Sequence, residues 1–106
     1  MRRAARRDGN DAIITEALRS AGFRVDDYAQ VGHVPDKLVS RTLPCGKKWI
    51  CWVEIKTPKG SLTPRQQSFR EVFESRMEFY IARDPEETIR ELYERYIAAI
   101  KAESVG

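Results

Sequence analysis

Asp36, Glu54 and Lys56 are the residues of this chain whose types and spacing could do chemistry. Glu54 and Lys56 close the stretch KKWICWVEIK, residues 47–56. Side chains alternate across a strand, so Glu54 and Lys56 share a face with Ile50 and Trp52, the two charges roughly 7 Å apart. Trp49, Cys51, Val53 and Ile55 share the other face. A strand that is apolar on both faces predicts a central strand covered on both sides, and charges at its end need partners. Asp36 lies one hairpin upstream. If that hairpin turns symmetrically about Cys45, Asp36 stands opposite Glu54 with Cα atoms about 5 Å apart. Like charges so placed repel, and a shared proton, a nearby cation or a bound metal relieves them. Lys56 is one such cation, and a hard divalent ion is another. A register slip of one residue undoes the geometry, and a strand emerging into solvent is the plainer reading of Glu-Ile-Lys by itself.

The charge pattern bears on the same place. The net charge is +3, but residues 37–70 hold Lys37, Arg41, Lys47, Lys48, Lys56, Lys59, Arg65 and Arg70 against the single acid Glu54. Residues 1–36 balance, and residues 71–106 are net acidic. A lone carboxylate in a strongly basic segment suits a site that handles a polyanion; a solvated basic face is the alternative. The four arginines of residues 1–7 form a basic arm that either contacts phosphate or only solubilises the chain.

The elements that must position these residues follow from periodicity and punctuation. A helix is expected from Asp8 or Asn10 to about residue 21, with Gly22 after its end. Its inward stripe holds Asp11, Ile14 and Leu18, while Glu16 lies nearer solvent. An acid in a first turn also serves the helix macrodipole, which is the structural alternative for Asp11. Residues 23–30 read as a strand near a sheet edge, and residues 31–35 as a loop carrying His33, the only histidine. Strands over 36–43 and 49–56 flank the turn Pro44-Cys45-Gly46. Thr63 caps a helix opened by Pro64, with Phe69, Val72 and Phe73 on its apolar stripe. Gln66 is an inward amide there, either lining a site or serving as a structural hydrogen bonder. Residues 78–82 form a short strand. A final helix from Pro85 to about residue 101 faces inward through Ile89, Leu92, Tyr93, Tyr96 and Ile100.

The 106 residues suffice for one domain with a single core, taken as residues 8–101 between the arm and a short tail over 102–106. Cys45 and Cys51 lack metal-ligand spacing and read as reduced thiols, Cys51 pointing into the core. No apolar run is long enough to span a membrane and no signal peptide is evident, so a cytoplasmic protein is expected.

The ordered set of helical acid, Pro35-Asp36, Glu54-Ile55-Lys56 and following helix resembles the core of PD-(D/E)xK nucleases, an α/β restriction-endonuclease-like fold. RRDGNDAIITEALRSAGF, VPDKLVS and WVEIKTPKGSLTPRQQ narrow the resemblance to a minimal stand-alone VRR-NUC domain, over about residues 6–93. The resemblance implies a central mixed sheet of about four strands flanked by helices, in the order α-β-β-β-α-β-α. It makes Asp36 and Glu54 metal ligands and Lys56 the catalytic lysine. Gln66 matches the glutamine of the motif T-P-K-G-x-L-T-P-x-Q, and Asp11 takes the place of the helical acid, with Glu16 as the alternative. Lys37 stands where the family often has an apolar residue. Mg²⁺ or Mn²⁺ suits such oxygen donors. The implied activity is phosphodiester hydrolysis in DNA: a homodimer that introduces paired nicks in four-way junctions and cuts plain duplex poorly is expected, with Tyr28, Val31, Val34 and the last helix offering apolar surface. Lys37, Arg41, Lys59 and Arg65 are the expected phosphate contacts. A catalytically silent nucleic-acid-binding module is the alternative.

Overall fold

The strand β3, Lys48–Ile55, is an inner strand of the sheet, paired with the strand Lys37–Thr42 on one side and the strand Phe79–Ala82 on the other. The structure, a computed structural model, describes residues 9–31 and 34–105, the side chains of 104 and 105 excepted. In chain order the elements are α1 (Gly9–Ser20), β1 (Arg24–Asp27), β2 (Lys37–Thr42), β3, α2 (Pro64–Phe73), a 3₁₀ turn (Glu74–Arg76), β4 (Phe79–Ala82) and α3 (Pro85–Val105). The four strands form one mixed sheet in the order β1-β2-β3-β4. β1 with β2 and β2 with β3 are antiparallel, and β3 with β4 is parallel. The architecture is thus α/β, a four-stranded mixed sheet flanked by three helices.

Local chemistry explains the joints. α1 ends as glycine permits: Gly22 has φ +98°, Phe23 N donates to Leu18 O at 3.0 Å and Gly22 N to Arg19 O at 3.1 Å. This is the Schellman pattern, and its companion apolar contact is supplied by Leu18 and Phe23, both buried. Between β2 and β3, Leu43 N bonds Lys47 O at 2.7 Å and Gly46 N bonds Leu43 O at 2.8 Å. Gly46, also at φ +98°, takes the left-handed position such a three-residue hairpin loop requires. The turn is centred on Cys45, and the register Lys37↔Val53, Val39↔Cys51 and Arg41↔Trp49 follows from it.

α1 and α3 cover one face. Ile14 and Leu18 of α1 and Leu92 and Tyr96 of α3 pack with Val39, Trp49, Cys51, Val53 and Ile55 into the core. Burial pushes the Cys51 thiol up to about 12, so it stays protonated. At the sheet edge Arg95 Nη1 donates to the carbonyls of Phe79 at 3.0 Å and Met77 at 3.2 Å, which blunts the open side of β4.

The other face is only partly covered, against the expectation of a strand buried on both sides. α2 is 10 residues long and reaches the second half of β3, where Phe69 lies 5.6 Å from Trp52. Ile50 is left 37% exposed, and Val72, placed on the inward stripe by sequence, is 58% exposed. The last helix likewise departs from its expected inner face at Tyr93, which is 47% exposed. α3 also runs on through Val105, so residues 102–105 continue the helix instead of forming a tail. No helix among the described residues is long and apolar enough to cross a membrane. The arm over residues 1–7 and His33 lie outside the described residues.

Candidate acidic site at the end of the central hairpin

The hairpin register carries Asp36 and Glu54 to the same place at the open end of β2 and β3. Asp36 sits just before β2, its carbonyl taking the Tyr28 N–H at 2.7 Å. Its Oδ2 accepts the Ile55 N–H at 3.1 Å, which ties the carboxyl to the end of β3. Glu54 is 3% exposed. Burial first, then the charge of Asp36 and a hydrogen bond with it, push the Glu54 carboxyl up to about 8, against the opposing pull of Lys56. At neutral pH the two acids therefore hold a proton that an isolated glutamate would have lost.

Gln66 completes this cluster from α2. Its Nε2 donates to Glu54 Oε2 at 2.9 Å. Its Oε1 accepts from Thr63 N at 2.9 Å, while Gln66 N donates to Thr63 Oγ1 at 3.2 Å. The amide thus closes a capping box and reaches the site with its other end. A cavity of about 80 Å³ opens here, lined by Val34, Pro35, Glu54, Thr63, Arg65, Gln66 and Phe69. That is room for two or three waters at about 30 Å³ each. A larger groove of about 360 Å³ lies beside Lys48, Trp49 and Met77, but Glu78 is the one carboxylate lining it.

Lys56 follows β3 directly, half-buried, and its stem passes the place where a side chain at Gly60 would stand: a Cβ there would lie 3.5 Å from Lys56 Cβ and Cδ. Arg83 holds this loop by donating to the carbonyls of Thr57 at 2.8 Å and Gly60 at 2.6 Å. Asn10 Nδ2 ties α1 to the same end through Lys56 O at 2.9 Å and Arg83 O at 3.2 Å. Sequence reading assigned Asn10 a capping role and missed both Asn10 and Arg83 as site supports. Nothing local to either residue signals these contacts, which span 46 and 73 residues from Asn10.

The remaining candidates separate in space. Asp11 is buried, as its place on the inward stripe predicts, but its Oδ1 meets Lys37 Nζ at 3.2 Å. Lys37 is 1% exposed and also reaches Asp27 Oδ1 at 3.2 Å. Lys37 pairs with Val53 and so points to the core side of the sheet, opposite the face of Glu54. Among the described residues no three His, Cys, Asp or Glu side chains converge. Asp11 thus stands with an internal ammonium, and Glu16 is exposed on the outer side of α1 beside Ala12, Ile13 and Ser20.

The basic block divides as well. Lys37 does not reach the surface and cannot touch a phosphate there. Arg41 lies toward the far end of the hairpin, its guanidinium 4.7 Å from the Tyr96 ring centre and 5.2 Å from that of Phe23. It also donates to Ala21 O at 3.3 Å, so its work is to pack the end of α1. Lys47 pairs with Glu103 at 3.5 Å and Arg70 with Glu74 at 2.9 Å. Lys59 and Arg65 are exposed, on the loop after β3 and on the first turn of α2. No protein-family model, curated protein or solved structure matches this chain.

Proposed function

We propose that this chain is a metal-dependent endodeoxyribonuclease of the PD-(D/E)xK type, close to the minimal VRR-NUC domains that its motifs resemble, with a restriction-endonuclease-like fold. The observation that supports this best is the acid pair: buried Glu54 lies against half-buried Asp36 and keeps its proton to about pH 8. The donor set fits a divalent cation, because two hard carboxylate oxygens without Cys or His suit Mg²⁺ or Mn²⁺. Such a cation replaces the proton and relieves the repulsion.

Asp36 and Glu54 would hold the ion. When bound, it lowers the pKa of an attacking water and polarises a phosphoryl oxygen. The reaction forms one O–P bond from water and breaks the bridging O–P bond, leaving a phosphate monoester and a hydroxyl. Lys56 supplies a positive charge at the same strand end, to orient the water and offset charge growing on the phosphoryl group. Gln66 fixes the Glu54 carboxyl, and the Ile55 N–H fixes that of Asp36. Arg65, at the cavity beside Glu54, and Lys59, exposed on the loop after Lys56, would draw the phosphate chain toward the pair.

The substrate reading is a branched DNA cut by a homodimer. One domain with one site cuts one strand, and paired cuts in a four-way junction need two sites related by symmetry. Exposed Val31 and Tyr93 offer apolar surface for a partner copy. Incubation with Mg²⁺ or Mn²⁺ on duplex, single-stranded, flap and four-way-junction DNA tests the activity, with Asp36→Asn as control. Light scattering at micromolar concentration tests the dimer.

One observation favours a catalytically silent nucleic-acid-binding module instead. Asp11 is paired with Lys37, which leaves two carboxylates where three acidic positions were expected. DNA binding without cleavage in either metal would select that reading.

A further inference from the structure

The face of the sheet that carries Glu54 carries an aromatic row immediately beside it. Trp52 precedes Glu54 by two residues on β3 and is half-buried. Two perpendicular rings hold its plane: Tyr28 at 5.4 Å and 72°, and Phe69 at 5.6 Å and 80°. Leu38, opposite Trp52 on β2, is also half-buried. α2 stops short of the β1 and β2 side, so Tyr28, Leu38 and Trp52 keep part of their surface in water while the opposite face of the sheet is closed.

We propose that Trp52 and Tyr28 form a stacking subsite for one unpaired nucleobase of the strand whose phosphate sits at Asp36 and Glu54. This rests on the reading of that pair as a phosphodiester site. Trp52 and Glu54 are roughly 7 Å apart along the strand, the reach of one nucleotide from its phosphate to its base. Rings held in place by packed neighbours bind a base without further ordering cost. Stacking is tolerant of base identity, because every base has a π-face. A base paired inside a duplex cannot reach the ring without leaving its stack. The subsite therefore selects strands with an unpaired nucleotide, at a branch or in a single strand, through this chain's own rings. Arg65, exposed at the rim of the adjoining cavity, is placed to meet the backbone.

Tryptophan emission reads this directly, because Trp49, the other tryptophan, is buried in the core on the opposite face. The full chain in Ca²⁺ buffer is titrated with a ten-residue oligothymidylate and with an abasic oligonucleotide of equal length. The expected result is quenching by the oligothymidylate and roughly tenfold weaker binding of the abasic strand, by the usual strength of base stacking. Trp52→Phe should abolish the quenching, and Tyr28→Leu should weaken oligothymidylate binding while leaving abasic binding unchanged. Equal affinity for the two strands overturns the proposal, since phosphate alone would then account for binding. An emission shift that follows protein concentration without DNA also overturns it, and assigns the face to a second copy of the chain. Absence of cleavage in Mg²⁺ and Mn²⁺ would remove the nuclease reading while a positive stacking result stood, so the two failures are distinguishable.

Discussion

Gln66 donates its side-chain amide to Glu54 at 2.9 Å while its oxygen caps the helix that carries it. One residue thereby couples the start of α2 to the acid pair, and two substitutions separate its roles. Gln66→Ala removes both contacts and should cost about 1 kcal/mol of stability, as lost caps do, along with activity. Gln66→Glu preserves the capping box but places a third acid against Glu54. Its stability should recover near pH 5 and fall at pH 8, with cleavage impaired throughout. Urea denaturation at the two pH values, beside a cleavage assay, checks this.

The acid pair makes the metal-free protein sensitive to pH in a defined direction. The folded value of Glu54, about 8, lies above its ordinary 4.5. Between those values the folded chain holds a proton that the unfolded chain releases. Stability from this group is complete below about pH 4.5 and declines as pH rises to about 8. Glu54→Gln should flatten that slope. Mg²⁺, taking the proton's place, should stabilise more at pH 8 than at pH 6. Melting curves from pH 5 to 9 in EDTA and in Mg²⁺ measure both.

Cleavage should depend on the three residues at the strand ends. Asp36→Asn, Glu54→Gln and Lys56→Ala should each reduce it by about 10²-fold or more, the usual cost of losing a metal ligand or a charge at the phosphoryl group. Folding should persist in all three by circular dichroism. A wild-type rate from Glu54→Gln would sink the assignment.

Lys37 should behave as a structural residue. Lys37 is 1% exposed and its ammonium serves Asp11 and Asp27 together. Lys37→Met leaves a buried carboxylate without this partner and should cost on the order of 3 kcal/mol, seen as a lower urea midpoint. Asp11→Asn should likewise act mainly through stability.

Salt dependence tests which cations meet DNA. Lys59→Ala and Arg65→Ala should each lower the slope of log affinity against log salt by about one. Arg41→Ala should leave that slope unchanged and lower stability, because its guanidinium packs on Phe23 and Tyr96. Binding isotherms at several salt concentrations separate the two behaviours.

The order of elements, the hairpin register and the meeting of Asp36 with Glu54 were legible from sequence because each rests on local rules. A turn centred on Cys45 and side chains alternating along β2 and β3 leave one arrangement, and Thr63 with Gln66 announces the start of α2. What the sequence could not assign is which charges enter the interior. Lys37 reads as one of eight basic residues in a phosphate-facing block. Only the convergence of α1, β1 and β2 brings Asp11 and Asp27 to its ammonium and turns a surface expectation into a buried pair. Arg41 went the same way, because rings distant in sequence close around it. The exposed Ile50 and half-buried Trp52 follow from the reach of α2, a 10-residue helix laid over an 8-residue strand with no second helix beside it among the described residues. Alternation tells which residues share a face, but how far that face is covered depends on where a separate element comes to rest.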